Sequence, residues 1–192
     1  MPGTLCKDAI KNWEAENEGT PASEAKIVKL YAQIPPIEKM DESLNVLEAC
    51  EHLSLSTNSI VRMISLPKLK NLKILSIGRN AINRIIGLED IGQTLEQLWM
   101  SYNSIEKLDG LQPCVKLHTL FLSNNKVAKW DEVAKLSQLT ELKNVLLIGN
   151  PIYGEKEKAE MKPHVIKRIP QIKYVDGVLI DDDDRKAAEE LE

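Results

Sequence analysis

Cysteine is scarce in this sequence. It occurs only at positions 6, 50 and 114, and an odd number at irregular spacing excludes a disulfide framework and points to a reducing compartment. Long apolar runs are missing too. The longest, Val145 to Ile148, falls far short of the roughly 20 residues that a membrane-spanning helix needs. The N-terminal text MPGTLCKDAIKNWEAEN lacks the apolar core of a secretory signal, so no membrane partner is expected and the cytoplasm is the expected location. There is no positive excess either. The net charge is −4, of which residues 181–192 contribute −5 (seven acids against Arg185 and Lys186), leaving +1 for residues 1–180. A neutral body without a basic stripe argues against nucleic-acid binding. Aromatic residues are few enough to weigh one by one: a single phenylalanine, three tryptophans and four tyrosines.

What is present is ordinary for one soluble domain, with 43% apolar and 28% charged residues over 192 positions. Leu5, Ala9, Ile10 and Trp13 fall at helical spacing behind Thr4 as N-cap. Ser23 followed by Ile27, Leu30 and Tyr31 predicts a second helix, stopped by Pro35 and Pro36. Residues 1–36 are therefore expected to form a helical N-terminal cap.

The dominant feature is a repeat. Asn58, Asn80, Asn103, Asn125 and Asn150 recur at intervals of 22, 23, 22 and 25, each inside one text: CEHLSLSTNSI, LKILSIGRNAI, LEQLWMSYNSI, LHTLFLSNNKV and LKNVLLIGNPI. The first, fourth, sixth, ninth and eleventh positions agree across all five, which is the leucine-rich-repeat signature. The fourth and sixth positions point inward from a short strand, and the third, fifth and seventh point outward. The ninth-position asparagines are expected to hydrogen-bond the backbone of adjacent turns. The second half of each unit also recurs: Met63 and Leu66, Ile85 and Leu88, Leu108 and Leu111, Trp130 and Val133. By that register Trp130 is expected in the core, and Cys50 and Cys114 act as small hydrophobes. The predicted fold is an α/β leucine-rich-repeat solenoid, with a parallel β-sheet on the concave face, short helices on the convex face and helical caps at both ends. Residues 37–154 hold the repeats, with five clear copies from about residue 50. Residues 155–178 form a C-terminal cap, with Val165, Ile166 and Ile169 closing a charged helix before Pro170, Ile172 and Val175 returning to the core, and Asp176-Gly177 as a turn. Residues 179–192 form an acidic tail, solvated and either disordered or a short exposed helix.

The outward columns then carry the functional signal. The third-position column is His52, Ile74, Gln97, Thr119 and Asn144. The fifth is Ser54, Ser76, Trp99, Phe121 and Leu146, changing from serine to large apolar side chains. With strands roughly 4.8 Å apart, the last three make a ridge on the order of 10 Å long, extended by Ile148 in the seventh column and flanked by Tyr102. Aromatics left in a row on a surface mark an interface. The candidate protein-binding residues are Ile74, Trp99, Tyr102, Phe121, Leu146 and Ile148.

Other chemistry is lacking. His52, His118 and His164 have no Cys or acid at metal spacing and are expected at the surface or in the caps. Gly78-Arg79-Asn80 lacks the Gly-Lys-Ser/Thr of a phosphate loop, and Asp181 to Asp184 lack the alternation and turn glycine of a calcium loop. No nucleophile with a neighbouring base can be assembled, so neither enzyme activity nor a cofactor or metal is expected. The most basic stretch is the C-terminal cap. Lys156, Lys158, Lys162, Lys167, Arg168 and Lys173 against Glu155, Glu157 and Glu160 give +3, a surface suited to an acidic polymer such as a microtubule.

SEAKIVKLYAQIPPIEKMD, LEQLWMSYN, LSNNKV, the GNPIY turn and the cap KRIPQIKYVDG together make the chain resemble, over nearly its full length, the leucine-rich-repeat light chains of axonemal outer-arm dynein. IPPIEKMD and LWMSYN are the specific parts. The resemblance implies a motor-associated subunit of cilia and flagella, monomeric on its own. It would bind the dynein heavy chain through the face bearing Trp99, Phe121 and Leu146, close to the microtubule-binding stalk tip, with tubulin as a further partner. It also implies a functional role for Arg185, while the IDDDD tail is more acidic than the family pattern. Competing expectations are a regulatory subunit of a type-one protein phosphatase and a partner of a spliceosomal RNA-binding protein, both of which use similar repeats.

Overall fold

The repeat register dictates one sheet. In the computed structural model, which describes residues 2–191, eight strands lie side by side in chain order: β1 (Ile27–Lys29), β2 (His52–Ser54), β3 (Ile74–Ser76), β4 (Gln97–Trp99), β5 (Thr119–Phe121), β6 (Asn144–Leu146), β7 (Tyr174–Val175) and β8 (Val178–Leu179). β1 to β7 pair in parallel with repeat positions aligned, so that Ser76, Trp99, Phe121 and Leu146 stand opposite one another. β8 turns back antiparallel through Asp176-Gly177, both at positive φ, 51° and 82°. Fourth- and sixth-position side chains such as Leu53, Leu55, Leu98, Met100, Leu120 and Leu122 are fully buried, as the two-residue alternation requires.

The asparagines form the ladder expected of them. Asn103 donates its amide to the carbonyls of Met100 and Ile77, each 3.0 Å away, and accepts the N–H of Ile82 at 3.0 Å. Asn58, Asn80, Asn125 and Asn150 repeat that arrangement, each tying its own turn to the one before. This satisfies irregular backbone that no strand or helix pairs. The residue before each asparagine takes the left-handed conformation: Thr57, Arg79, Tyr102, Asn124 and Gly149, with φ of 58°, 53°, 60°, 55° and 78°.

The second helix predicted at Ser23 to Tyr31 is replaced by β1. Val28 and Leu30 are buried while Ile27 and Tyr31 are exposed, an alternation of two that a helix cannot satisfy. Ala25, Val28 and Leu30 occupy first, fourth and sixth positions of a further repeat unit, in which Gln33 replaces the asparagine and Ala32 has φ of 50°. The helical cap is therefore α1 (Cys6–Glu16) alone, burying Cys6, Ala9 and Ile10. Thr4 does not cap it: its hydroxyl donates to the Pro35 carbonyl, the N-cap position is Leu5, and Leu5 is 49% exposed.

On the convex side, helical turns occur where the repeat is long. The 25-residue units, Gln33 to Asn58 and Asn125 to Asn150, carry a 3₁₀ turn at Glu42–Val46 and α2 (Trp130–Ala134) followed by a 3₁₀ turn at Lys135–Gln138. The 22- and 23-residue units span the same distance with turns only. Trp130 is not fully inside. Its indole is larger than the Met63, Ile85 and Leu108 of the same column, and it lies half-buried against α3 (Lys158–Arg168). There it stacks on His164 at 5.6 Å and under the Arg168 guanidinium at 4.5 Å.

α3 caps the far end as anticipated, with Val165, Ile166, Ile169, Ile172 and Val175 buried. The acidic segment is not a free tail. It folds as α4 (Asp182–Glu189), capped by Asp181 and Asp184. It docks on α3 through a Lys162–Asp184 ion pair of 2.6 Å and the buried Ala188.

Candidate functional site

With α4 seated on α3, the outward face of the sheet carries its own aromatic row. Trp99 and Phe121, fifth-position neighbours on β4 and β5, stack with centroids 5.9 Å apart and planes at 20°. Leu146 continues the column on β6, and all three remain half-buried, part of each surface facing solvent. The Trp99 indole N–H donates to the Gln97 carboxamide at 3.2 Å, which helps to fix the ring in its stack with Phe121. Ile148 is half-buried beyond Leu146 and packs against the core, while Ile74 borders the row from the third column of β3.

Tyr102 is not beside the strands but past them. It occupies the left-handed eighth position, 46% exposed, with the Arg79 guanidinium 4.3 Å over its ring. That contact orients both side chains along the rim of the face. Arg185 is brought nowhere near this group. On α4 it donates to the carbonyls of Pro170 at 3.0 Å and Ile172 at 2.9 Å, holding the terminal helix to the segment entering β7.

His52, expected at the surface in the outward third column but not among the candidate binding residues, joins the aromatic row. Its ring meets the edge of Trp99 at 5.7 Å and 72°, and its Nε2 lies 3.1 Å from the Ser76 hydroxyl. Burial against the sheet, with Lys29 nearby, holds its pKa below the usual histidine value, so the ring is neutral at pH 7. The signal was available. His52 and Ile74 are successive third positions, and the Trp99 ring spans the small Ser76 between them. The other histidines stand apart: His118 bonds the Thr119 hydroxyl at 2.9 Å and His164 stacks on Trp130.

Among the described residues no group of three or more His, Cys, Asp or Glu side chains could hold a metal. Burial pushes the thiols of Cys6 and Cys50 up to about 11 and that of Cys114 to about 12, which disarms them as nucleophiles. A surface cavity of about 480 Å³ lies away from the ridge, bordered by Met40, Val61, Arg62 and Ile64. What the outward face can do is bury apolar area against another protein.

Known proteins match this fold. A family model for leucine-rich repeats, two copies, covers residues 93–144. Among solved structures, the chain resembles one in the SNF/U2A' complex of Drosophila melanogaster with a TM-score of 0.54 and 20% identity, covering 99% of this chain and 92% of the other. It resembles an internalin of Listeria monocytogenes with a TM-score of 0.54 and 19% identity, covering 82% and 52%. At that identity both likenesses speak for the fold alone. Curated relatives are nearer. Dynein axonemal light chain 1 of Chlamydomonas reinhardtii is 46% identical over 189 residues, 96% of this chain and 95% of the relative. The proteins of the same name from Homo sapiens and Danio rerio are 50% and 51% identical over 176 residues, with at least 91% of each chain covered.

Proposed function

Because this chain belongs to the dynein axonemal light chain 1 family, we propose that it is a non-catalytic light chain of ciliary outer-arm dynein. In this reading its aromatic ridge grips the heavy chain in the microtubule-binding stalk region and so modulates motor activity in the axoneme. One observation carries the reading: Trp99, Phe121 and Leu146 form a contiguous, half-exposed apolar row, while the segment best placed to cover it, the acidic tail, is engaged elsewhere on α3. Fully burying a large apolar side chain contributes about 1.5–3 kcal/mol, and rings of this kind dominate protein interfaces.

Removing both rings tests the reading. Trp99→Ala with Phe121→Ala deletes surface atoms, so the melting transition stays cooperative. Because each ring is already half-buried, the lost partner burial is about 1.5–3 kcal/mol, which weakens heavy-chain binding roughly 10- to 100-fold. The assay is a pull-down from axonemal extract with identification of the bound chains. Heavy-chain recovery equal to wild type removes the ridge from the interface. Recovery of a protein phosphatase or an RNA-binding protein in its place would favour one of the competing readings.

A further inference from the structure

Below the ridge, where each strand begins, the second repeat positions form a row along the sheet edge: Lys26, Glu51, Lys73, Glu96, His118, Lys143 and Lys173, each directly preceding its strand. The first four alternate in sign and compensate one another. Lys26 and Lys73 both pair with Glu51, at 3.1 and 2.7 Å, and His118 Nε2 lies 3.9 Å from Glu96. The alternation then stops. Lys143 and Lys173 are adjacent across the ladder, the Lys173 N–H donating to the Lys143 carbonyl at 2.8 Å. Neither forms an ion pair among the described residues, and Lys143 reaches only the Thr140 carbonyl.

A second observation lies beside them. The Asn144 side-chain oxygen is buried and has no hydrogen-bond partner, whereas buried acceptors in folded proteins are nearly always paired. Asn144 is a third-position residue on β6, level with Tyr174, which is 42% exposed, and two residues before Leu146 at the end of the ridge. Two adjacent cations without an ion pair and an unused acceptor thus border the apolar row at its Leu146 end, against the single unpaired Lys29 in the same column of β1 at the other.

We infer that Lys143, Lys173 and Asn144 are the docking point for an acidic segment of the heavy chain, and that they fix which way that segment runs along the ridge. This rests on the proposed heavy-chain contact and deepens it. A carboxylate of the partner neutralises the lysine pair, the Asn144 amide, which no side-chain hydrogen bond fixes, turns its buried oxygen outward to accept from a donor of the partner, and the partner's apolar stripe continues over Leu146, Phe121 and Trp99. The other end of the row has one unpaired cation, Lys29, in place of an adjacent pair, because Lys26 and Lys73 there are held by Glu51. Charged rims of this sort set orientation and association rate more than total affinity.

The test uses full-length light chain and heavy chain from high-salt axonemal extract as the probe. Lys143→Glu with Lys173→Glu should weaken binding at least tenfold, mainly through association rate, and flatten the salt dependence between about 50 and 300 mM NaCl. The same charge change made elsewhere, Lys68→Glu with Lys116→Glu, should leave binding within about twofold. Asn144→Leu should weaken binding about five- to tenfold without lowering the melting temperature of the free protein, because its oxygen bonds nothing there. Binding by the Lys143/Lys173 variant equal to wild type, alongside failure of the Trp99/Phe121 variant, overturns this inference and leaves the ridge reading intact. Full binding by the Trp99/Phe121 variant overturns the ridge reading itself. Equal losses from the two charge-reversed pairs overturn the inference in favour of net-charge steering. A wild-type dimer in sedimentation that the Lys143/Lys173 variant abolishes overturns it in favour of a second copy's acids.

Discussion

Replacing Asn103 with alanine removes one rung from the middle of the asparagine ladder. Three hydrogen bonds go with it, to the carbonyls of Ile77 and Met100 and from the N–H of Ile82. The losses are unequal. Asn80 also donates to Ile77, and Asn125 also donates to Met100, so each carbonyl keeps one partner and its loss costs about 0.5–1 kcal/mol. The Ile82 N–H has no other partner among the described residues and is left orphaned, at about 1–3 kcal/mol. The sum is about 3 kcal/mol, which lowers the melting temperature of a chain this size by roughly 6–12 °C. Asn103→Asp keeps the acceptor for Ile82 but turns a second acceptor toward the two carbonyls, so at pH 7 it costs more than alanine. The folded state holds that carboxyl protonated, its pKa raised above the unfolded value. Its stability is therefore greatest below about pH 4 and falls as pH rises through the unfolded value. Thermal and urea denaturation of both variants at pH 4 and pH 7 measures this. A cost below about 1 kcal/mol for alanine, or an aspartate variant more stable than alanine at pH 7, refutes the reasoning.

Three further outcomes follow from the same structure. Burial alone raises the carboxyl of Asp184, but its Lys162 pair and capping hydrogen bonds outweigh this and hold its pKa below the usual aspartate value. The α3–α4 docking it supports is thus present above the unfolded pKa, near 4, and lost as pH falls through the folded one. Amide exchange in residues 182–189 should accelerate on acidification before the repeats open, and at neutral pH in Lys162→Ala. Tyr153→Phe removes the hydroxyl that donates to the buried Asp176, leaving its other oxygen with the N–H groups of Leu147 and Ile148 at 2.7 and 2.9 Å. A loss of about 1.5–3 kcal/mol is expected in urea unfolding. Gly110→Ala drives a Cβ into the Ile85 carbonyl oxygen at a φ of 93°, so soluble yield and melting temperature should both drop sharply.

The outward columns, the asparagine ladder and the far cap were legible because each rests on spacing, and spacing survives in one dimension. The first repeat was not. Its unit has Ala25 and Val28 where leucines are usual and Gln33 where asparagine belongs, so Ile27, Leu30 and Tyr31 mimicked a helical face. Only pairing with β2 decides for the strand. His52 was passed over for a related reason: its contact with Trp99 crosses two strands and depends on the small size of Ser76 in between. The acidic segment left two outcomes open, disorder or a short exposed helix, and its self-capped first turn together with the Lys162 pair decides for a helix docked on α3.

The sequence by itself determines the solenoid, its register and the sign of each column. A repeat of 22 to 25 residues can bury its leucines only by stacking on its neighbours. That also sorts Trp99 and Phe121 to the outside before any coordinates exist. The tertiary structure decided how the two ends close, where Trp130 and Arg185 sit, and which charges along the sheet edge find a partner. Those outcomes depend on residues many repeats apart meeting across space, where side-chain size and the geometry of each approach choose among contacts that spacing alone leaves equal.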